Sequence, residues 1–135
     1  MKEERIIIIG NGVAGITTAR HLRKRSNCRI TVISSESKHF FSRTALMYIY
    51  MGHMKYEHTK PYSDDFWEKN RIELLQARVD EIQPNEKQLK LADGETLSYD
   101  KLVIATGSKT ATYGWKGLEL EGVQGLYSLH DLQQM

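Results

Sequence analysis

The stretch Ile6-Ile-Ile-Ile9-Gly10-Asn11-Gly12-Val13-Ala14-Gly15 decides the fold. Four consecutive β-branched residues with no polar alternation read as a strand buried on both faces. The pattern then turns helical from about Gly12 to Ser26, with Val13, Ile16, Ala19 and Leu22 able to line one face. Arg20, Arg23, Lys24 and Arg25 gather near its end, where cations suit the helix dipole, and Asn27 can stop it. Ile30-Thr-Val-Ile33 supplies a second strand. Strand, glycine turn, helix and strand within about 30 residues make a βαβ unit, whose strands are parallel.

The glycines form a G-x-G-x-x-G set directly after a strand and at the start of a helix, the context that gives this motif meaning. Gly10 permits the tight turn, Gly12 carries no side chain to block a pyrophosphate, and Gly15 allows close helix packing. Phosphates would rest on the helix N-terminus, where N–H groups and dipole favour an anion. The plainer alternative is three glycines that merely end a strand. An acidic residue should follow the second strand to hold ribose hydroxyls. Glu36 fills that place, after Ser34 and Ser35 and somewhat beyond the usual spacing of about 20 residues. A solvated loop glutamate is the alternative there. No Arg follows Ile33 at once, which disfavours a 2′-phosphate.

Outward from this unit, Ser42 could cap a helix through Leu46, Ile49 and Met51 to Gly52, and Ser63 another through Phe66 and Trp67 to Asn70. Ile72-Glu-Leu-Leu75 reads as a third parallel strand. The style then changes: Val79 to Ile82, Leu89 to Leu91 and Leu97 to Tyr99 are short segments parted by Pro84-Asn85 and Asp93-Gly94, an antiparallel meander. Leu102-Val-Ile-Ala105 returns to the buried style and runs into Thr106-Gly107. Beyond Ser108 the chain is mostly connection, with Leu126 to Leu129 as a possible short strand.

Composition narrows the function classes. The 135 residues suit one nucleotide-binding domain and are too few for two full α/β domains. A net charge of +2 argues against a mainly electrostatic nucleic-acid binder. The apolar run at the start is too short for a signal-peptide core or a membrane span. The single Cys28 can form no internal disulfide, so a reducing cytoplasm is the expected location. His53 and His58 lack acidic or Cys partners at ligand spacing, so no metal is expected. Met47, Tyr48, Tyr50, Met51 and Met54 read as helix packing rather than a cofactor box, and Trp115 as a core anchor.

Gly10 to Gly15, the meander, and Thr96-Leu-Ser-Tyr-Asp-Lys-Leu-Val-Ile-Ala-Thr-Gly-Ser108 together resemble the flavoprotein pyridine nucleotide-disulfide oxidoreductase superfamily. Phe40-Phe-Ser-Arg-Thr-Ala-Leu46 is similar to the Tyr-Ser-Arg-Pro-x-Leu segment of its NADH-dependent ferredoxin, rubredoxin and nitrite reductases, with Thr44 where proline is usual. The resemblance implies a Rossmann-like α/β FAD/NAD(P)-binding domain, with a parallel sheet and a three-stranded antiparallel meander. It implies that Gly10, Gly12, Val13, Ala14 and Gly15 meet the FAD pyrophosphate and that Glu36 meets the adenosine ribose. Arg43 would lie beside the flavin or pyrophosphate, Val79 would hydrogen-bond adenine through its backbone, and Ala105, Thr106 and Gly107 would pass close to the cofactor. The implied activity is hydride transfer from NAD(P)H to FAD and onward to an acceptor protein or small molecule.

The family's disulfide reductases and peroxidases carry cysteine after the second strand, whereas this chain has Phe40 to Leu46 there, which excludes a thiol relay. Cys28, before the second strand, reads as a buried or half-buried structural thiol. A stand-alone dinucleotide-binding module and a plain NAD-dependent Rossmann enzyme are the other classes in view. No second G-x-G-x-x-G and no returning Gly-Asp follow Gly107. Residues 1–108 are therefore expected to be the first segment of an FAD domain, and 109–135 the connection toward an NAD(P)H domain. By itself such a chain is expected to turn over NAD(P)H poorly, and its uncovered apolar surface to favour self-association or domain swapping.

Overall fold

The computed structural model describes residues 3–135. Among these, seven strands and four helices follow in the order β1 (Arg5–Ile9), α1 (Val13–Arg25), β2 (Arg29–Ser34), α2 (Leu46–Tyr50), α3 (Phe66–Lys69), β3 (Ile72–Gln76), β4 (Val79–Gln83), β5 (Gln88–Leu91), β6 (Thr96–Ser98), β7 (Lys101–Ile104) and α4 (Leu129–Gln134). The chain divides into two compact units. One comprises the residues up to Phe40 with Tyr62–Gly107, the other Phe41–Pro61 with Ser108–Met135.

The first unit holds both sheets. Its parallel sheet has the order β3-β2-β1-β7, and its antiparallel sheet the order β4-β5-β6. In register, Ile6 to Ile9 pair with Ile30 to Ile33 on one side and with Lys101 to Ile104 on the other. The four isoleucines then divide by strand alternation. Ile6 and Ile8 join Ile16, Ala19, Val32, Trp67 and Ile72 in one buried cluster, while Ile7 joins Ile33, Leu89, Leu91 and Tyr99 in another. Helices thus cover one face of the parallel sheet and the meander covers the other, so a continuous apolar run is needed in β1. Burying each such side chain contributes about 1.5–3 kcal/mol.

The strands expected up to Ala105 all form, as does the α1 helix. The basic end of α1 is structural. The Arg23 guanidinium donates to the carbonyls of Ser26, Cys28, Asn70 and Arg71, tying two chain reversals together. Cys28 is buried beside the Ser26 hydroxyl. Trp67 packs edge-on to Tyr62 and Phe66, with ring centroids 5.3 and 5.0 Å away.

Several local expectations are corrected. Val13 is 71% exposed, and the buried face of the helix begins at Gly15 and Ile16. Ser42 does not cap through its side chain. A 3-10 turn, Arg43–Ala45, comes first and α2 lasts five residues before Gly52 turns with φ +76°. Met47, Tyr48, Tyr50 and Met51 are each more than half exposed, as is Trp115, so none of them is core packing. Residues 126–129 make no strand. Ser128 instead caps α4, its Oγ accepting from the Asp131 N–H at 3.1 Å, and local capping outweighs β propensity. The helix near Ser63 is four residues long and starts after Asp65.

Candidate dinucleotide site

The glycine turn is built by backbone packing. Gly10 adopts φ +109°, and a Cβ there would lie 2.0 Å from the Ala105 carbonyl oxygen. A Cβ on Gly15 would lie 1.9 Å from the Gly10 carbonyl oxygen. The two motifs read from sequence, Gly10 to Gly15 and Ala105 to Gly107, are therefore in direct contact through main chain. Gly10 N–H donates to Ile33 O and Ala105 N–H to Ile9 O, both at 2.7 Å, which extends the ladder to the turn.

Gly12 is different in kind. It is the residue before α1, with φ −71° and ψ −172°, backbone that any residue adopts, and a Cβ there would meet nothing within 4 Å. No side chain caps the helix and its first turn holds no acidic residue. The first intrahelical bond runs from Ile16 N–H to Gly12 O, so the amides of Val13, Ala14 and Gly15 have no acceptor within the helix. Val13 and Ala14 are exposed. Room, N–H donors, the positive end of the dipole and the absence of a carboxylate are what a pyrophosphate requires. The residues present fit that group.

Glu36 stands in the loop after β2, half-buried. That loop is joined to the glycine turn by Asn11, a residue that sequence reasoning missed. Its amide Nδ2 donates to the Ser37 carbonyl at 2.8 Å, and both residues are buried. A polar amide side chain inside a glycine turn was the available signal, since such a group stays buried only where it finds a partner. Ala77 N–H donates to Ser34 O at 3.0 Å, which sets the start of the meander against the end of β2. Val79 follows as the first residue of β4, opposite Leu91 and beside a register shift in the ladder. Thr106 and Gly107 are exposed, and Gly107 turns the chain with φ +70°.

Arg43 belongs to the second unit, where its guanidinium donates to the Tyr127 carbonyl at 2.6 Å and lies over the Tyr127 and Phe41 rings at 4.5 and 5.5 Å. A separate cleft on the first unit is lined by Arg29, His39, Asp64, Trp67 and Glu73, in which Arg29 pairs with Glu73 and the His39 Nε2 lies 3.8 Å from the Asp64 carboxylate. Among the described residues no His, Cys, Asp and Glu group could hold a metal ion, and no helix is long and apolar enough to cross a membrane.

The family profile described as pyridine nucleotide-disulphide oxidoreductase matches residues 4–135. The chain belongs to that family. It is 37% identical over 131 residues to a probable ferredoxin reductase of Castellaniella defragrans, covering 95% of this chain and 32% of that protein. Among solved structures, NADH:rubredoxin oxidoreductase from Clostridium acetobutylicum is similar with a TM-score of 0.84 and 30% identity, over 98% of this chain and 35% of that one. The ferredoxin reductase for the CYP199A2 system from Rhodopseudomonas palustris gives 0.87 and 26%, over 97% and 33%. The chain thus spans about a third of the length of these relatives. The cofactors of this oxidoreductase family are FAD and NAD(P)H.

Proposed function

We propose that this chain forms the FAD-binding part of an NAD(P)H-dependent flavoprotein oxidoreductase that passes electrons to a protein or small acceptor without redox-active cysteines. One observation carries the reading: the start of α1 is open, uncapped and free of carboxylates, beside a turn whose glycines are otherwise packed against main chain. A bound flavin would supply the chemistry, hydride acceptance and electron transfer.

The chain's own residues bind and orient. The amides of Val13, Ala14 and Gly15 would donate to the pyrophosphate, with Gly12 leaving the space for it. Glu36 would accept from the adenosine ribose hydroxyls, the Val79 backbone would meet adenine, and Ala105, Thr106 and Gly107 would line the approach. No nucleophile or general base is required. The only thiol, Cys28, is buried next to Ser26, which suits a structural role. Ferredoxin and rubredoxin in the names of the relatives point to a small electron-carrier protein as acceptor.

Gly12→Val tests the reading. Because a Cβ at Gly12 meets nothing, the variant should fold with at most about 1 kcal/mol of stability lost to the poorer N-cap, yet lose FAD affinity by at least about tenfold. Purified protein should show flavin absorbance. Unchanged FAD affinity in the variant, or binding of NAD(H) but not FAD by the parent, would overturn the assignment.

A further inference from the structure

The Asn11 side chain links the glycine turn to the loop that carries Glu36, and the link is buried at both ends: Asn11 is 8% and Ser37 6% exposed. Its Nδ2 donates to Ser37 O at 2.8 Å and approaches Ser37 Oγ at 3.5 Å, while Ser37 Oγ donates to His39 O at 2.9 Å. Ser37 directly follows Glu36 in the chain. On the other side of Glu36, Ser34 O is held by Ala77 N–H at 3.0 Å. Glu36 therefore stands on a short span pinned at both ends, and one of the pins comes from within the phosphate turn. A turn needs only small residues at this place. A buried amide costs desolvation unless its bond is made, so its use here ties two pieces of backbone to each other.

We propose that Asn11 is a positioning residue for ribose recognition: through Ser37 it fixes Glu36 relative to the glycine turn, so that one nucleoside diphosphate with both ribose hydroxyls spans the two. The inference rests on the reading of Glu36 as the ribose acceptor. It assigns to the variable position of the glycine motif a part in ligand choice. Asn11 itself touches the loop and not the sugar, so its effect passes through Glu36.

The test uses ADP and 2′-deoxy-ADP as probes on the flavin-freed chain, by calorimetry. The parent should prefer ADP, and Glu36→Gln should remove most of that preference. Asn11→Ala should reduce the ADP to 2′-deoxy-ADP ratio by about tenfold, the worth of a buried hydrogen bond. The double variant should show no further loss beyond Glu36→Gln, because both act on one contact. A purely structural Asn11 would weaken both probes equally, leaving the ratio intact, and that result overturns the proposal; so does full additivity in the double variant. If Glu36→Gln leaves the parent ratio untouched, the ribose reading itself has failed. If Glu36→Gln removes the ratio and Asn11→Ala does not, only the coupling has failed. Asn11→Asp, equal in size but without the amide donor, must also lose the ratio, and it serves if Asn11→Ala does not fold.

Discussion

The glycine turn of the first unit and the Arg43–Tyr127 corner of the second are both irregular segments, held by opposite means. In the turn, main chain meets main chain: Gly10 N–H on Ile33 O, Ala105 N–H on Ile9 O, and no space for a Cβ at Gly10 or Gly15. Buried isoleucines support it, with Ile7 at 1% and Ile8 at 0% exposed. In the corner, side chains hold the backbone. Arg43 donates to Tyr127 O, and the Asp131 carboxylate accepts from the N–H groups of Tyr127 and Ser128 at 2.9 and 2.7 Å. Elsewhere in that unit large apolar residues stand in the open, Trp115 at 68% and Met47 at 55%. Backbone packing is rigid and intolerant of a single added carbon. Side-chain links can be removed one at a time, and the one made by the Asp131 carboxylate titrates.

The largest effects should come from the intolerant region. Gly10→Ala and Gly15→Ala place a methyl within about 2 Å of a carbonyl oxygen. Each should cost about 3 kcal/mol or more in urea unfolding, or abolish folding. Gly12→Ala, two positions from Gly10 in the same motif, should cost only about 1 kcal/mol, the usual penalty of Ala at a helix N-cap, because its Cβ meets nothing. Equal behaviour of Gly15→Ala and Gly12→Ala would break the claim that the outer glycines serve packing and the middle one serves space.

This contrast also decides what could be read from sequence. A strand buried on both faces writes itself as a continuous apolar run, so Ile6 to Ile9 were legible. Leu102 to Ala105 reads the same way and does form a strand, but at the edge of the sheet, where Ile104 is 62% exposed, because an apolar run does not say what covers it. The meander was legible through its alternation and through turn residues such as Asp93-Gly94, where Gly94 adopts φ +91°. The Asn11–Ser37 bond was not, because the partner of a lone polar side chain is fixed by tertiary placement rather than by period. Apolar residues at helical spacing, Met47 to Met51, declare that a face exists without saying whether anything covers it. The strand expected at Leu126 to Leu129 failed for a local reason that was readable: Ser128-Leu-His-Asp131 is a capping box, and Tyr127 takes its N–H to the Asp131 carboxylate.

Removing Arg43 should loosen the second region alone. Its guanidinium combines a charged hydrogen bond to Tyr127 O with contact to two aromatic rings. Arg43→Ala should lower the local opening free energy of residues 127–131 by about 1.5–3 kcal/mol, read by amide hydrogen exchange. Arg43→Lys should recover only part of this, since the ammonium keeps charge but not the planar stack. The amides of Ile6 to Ile9 serve as the reference and should keep their protection. Equal loss there would show that the two regions open as one.

The smallest effect is a titration. N–H groups of Ser128 and Tyr127 hold the Asp131 carboxyl below its ordinary value of 3.8, helped by the Ser128 hydroxyl and nearby His130. A carboxyl with a depressed folded value stabilises the folded form fully above its unfolded value. That contribution fades as the pH falls through the folded one. Amide protection at Tyr127 and Ser128 should therefore be flat near neutrality and decline only below about pH 4. In Asp131→Asn the decline should vanish, with weaker protection at neutral pH because a neutral amide oxygen is the poorer acceptor. The bonds of Gly10 and Ala105 contain no titratable group, so their protection should not follow this transition. An acid step of the same midpoint at Gly10 would mean that the turn, too, depends on a side-chain charge, and the contrast between the two regions would fall.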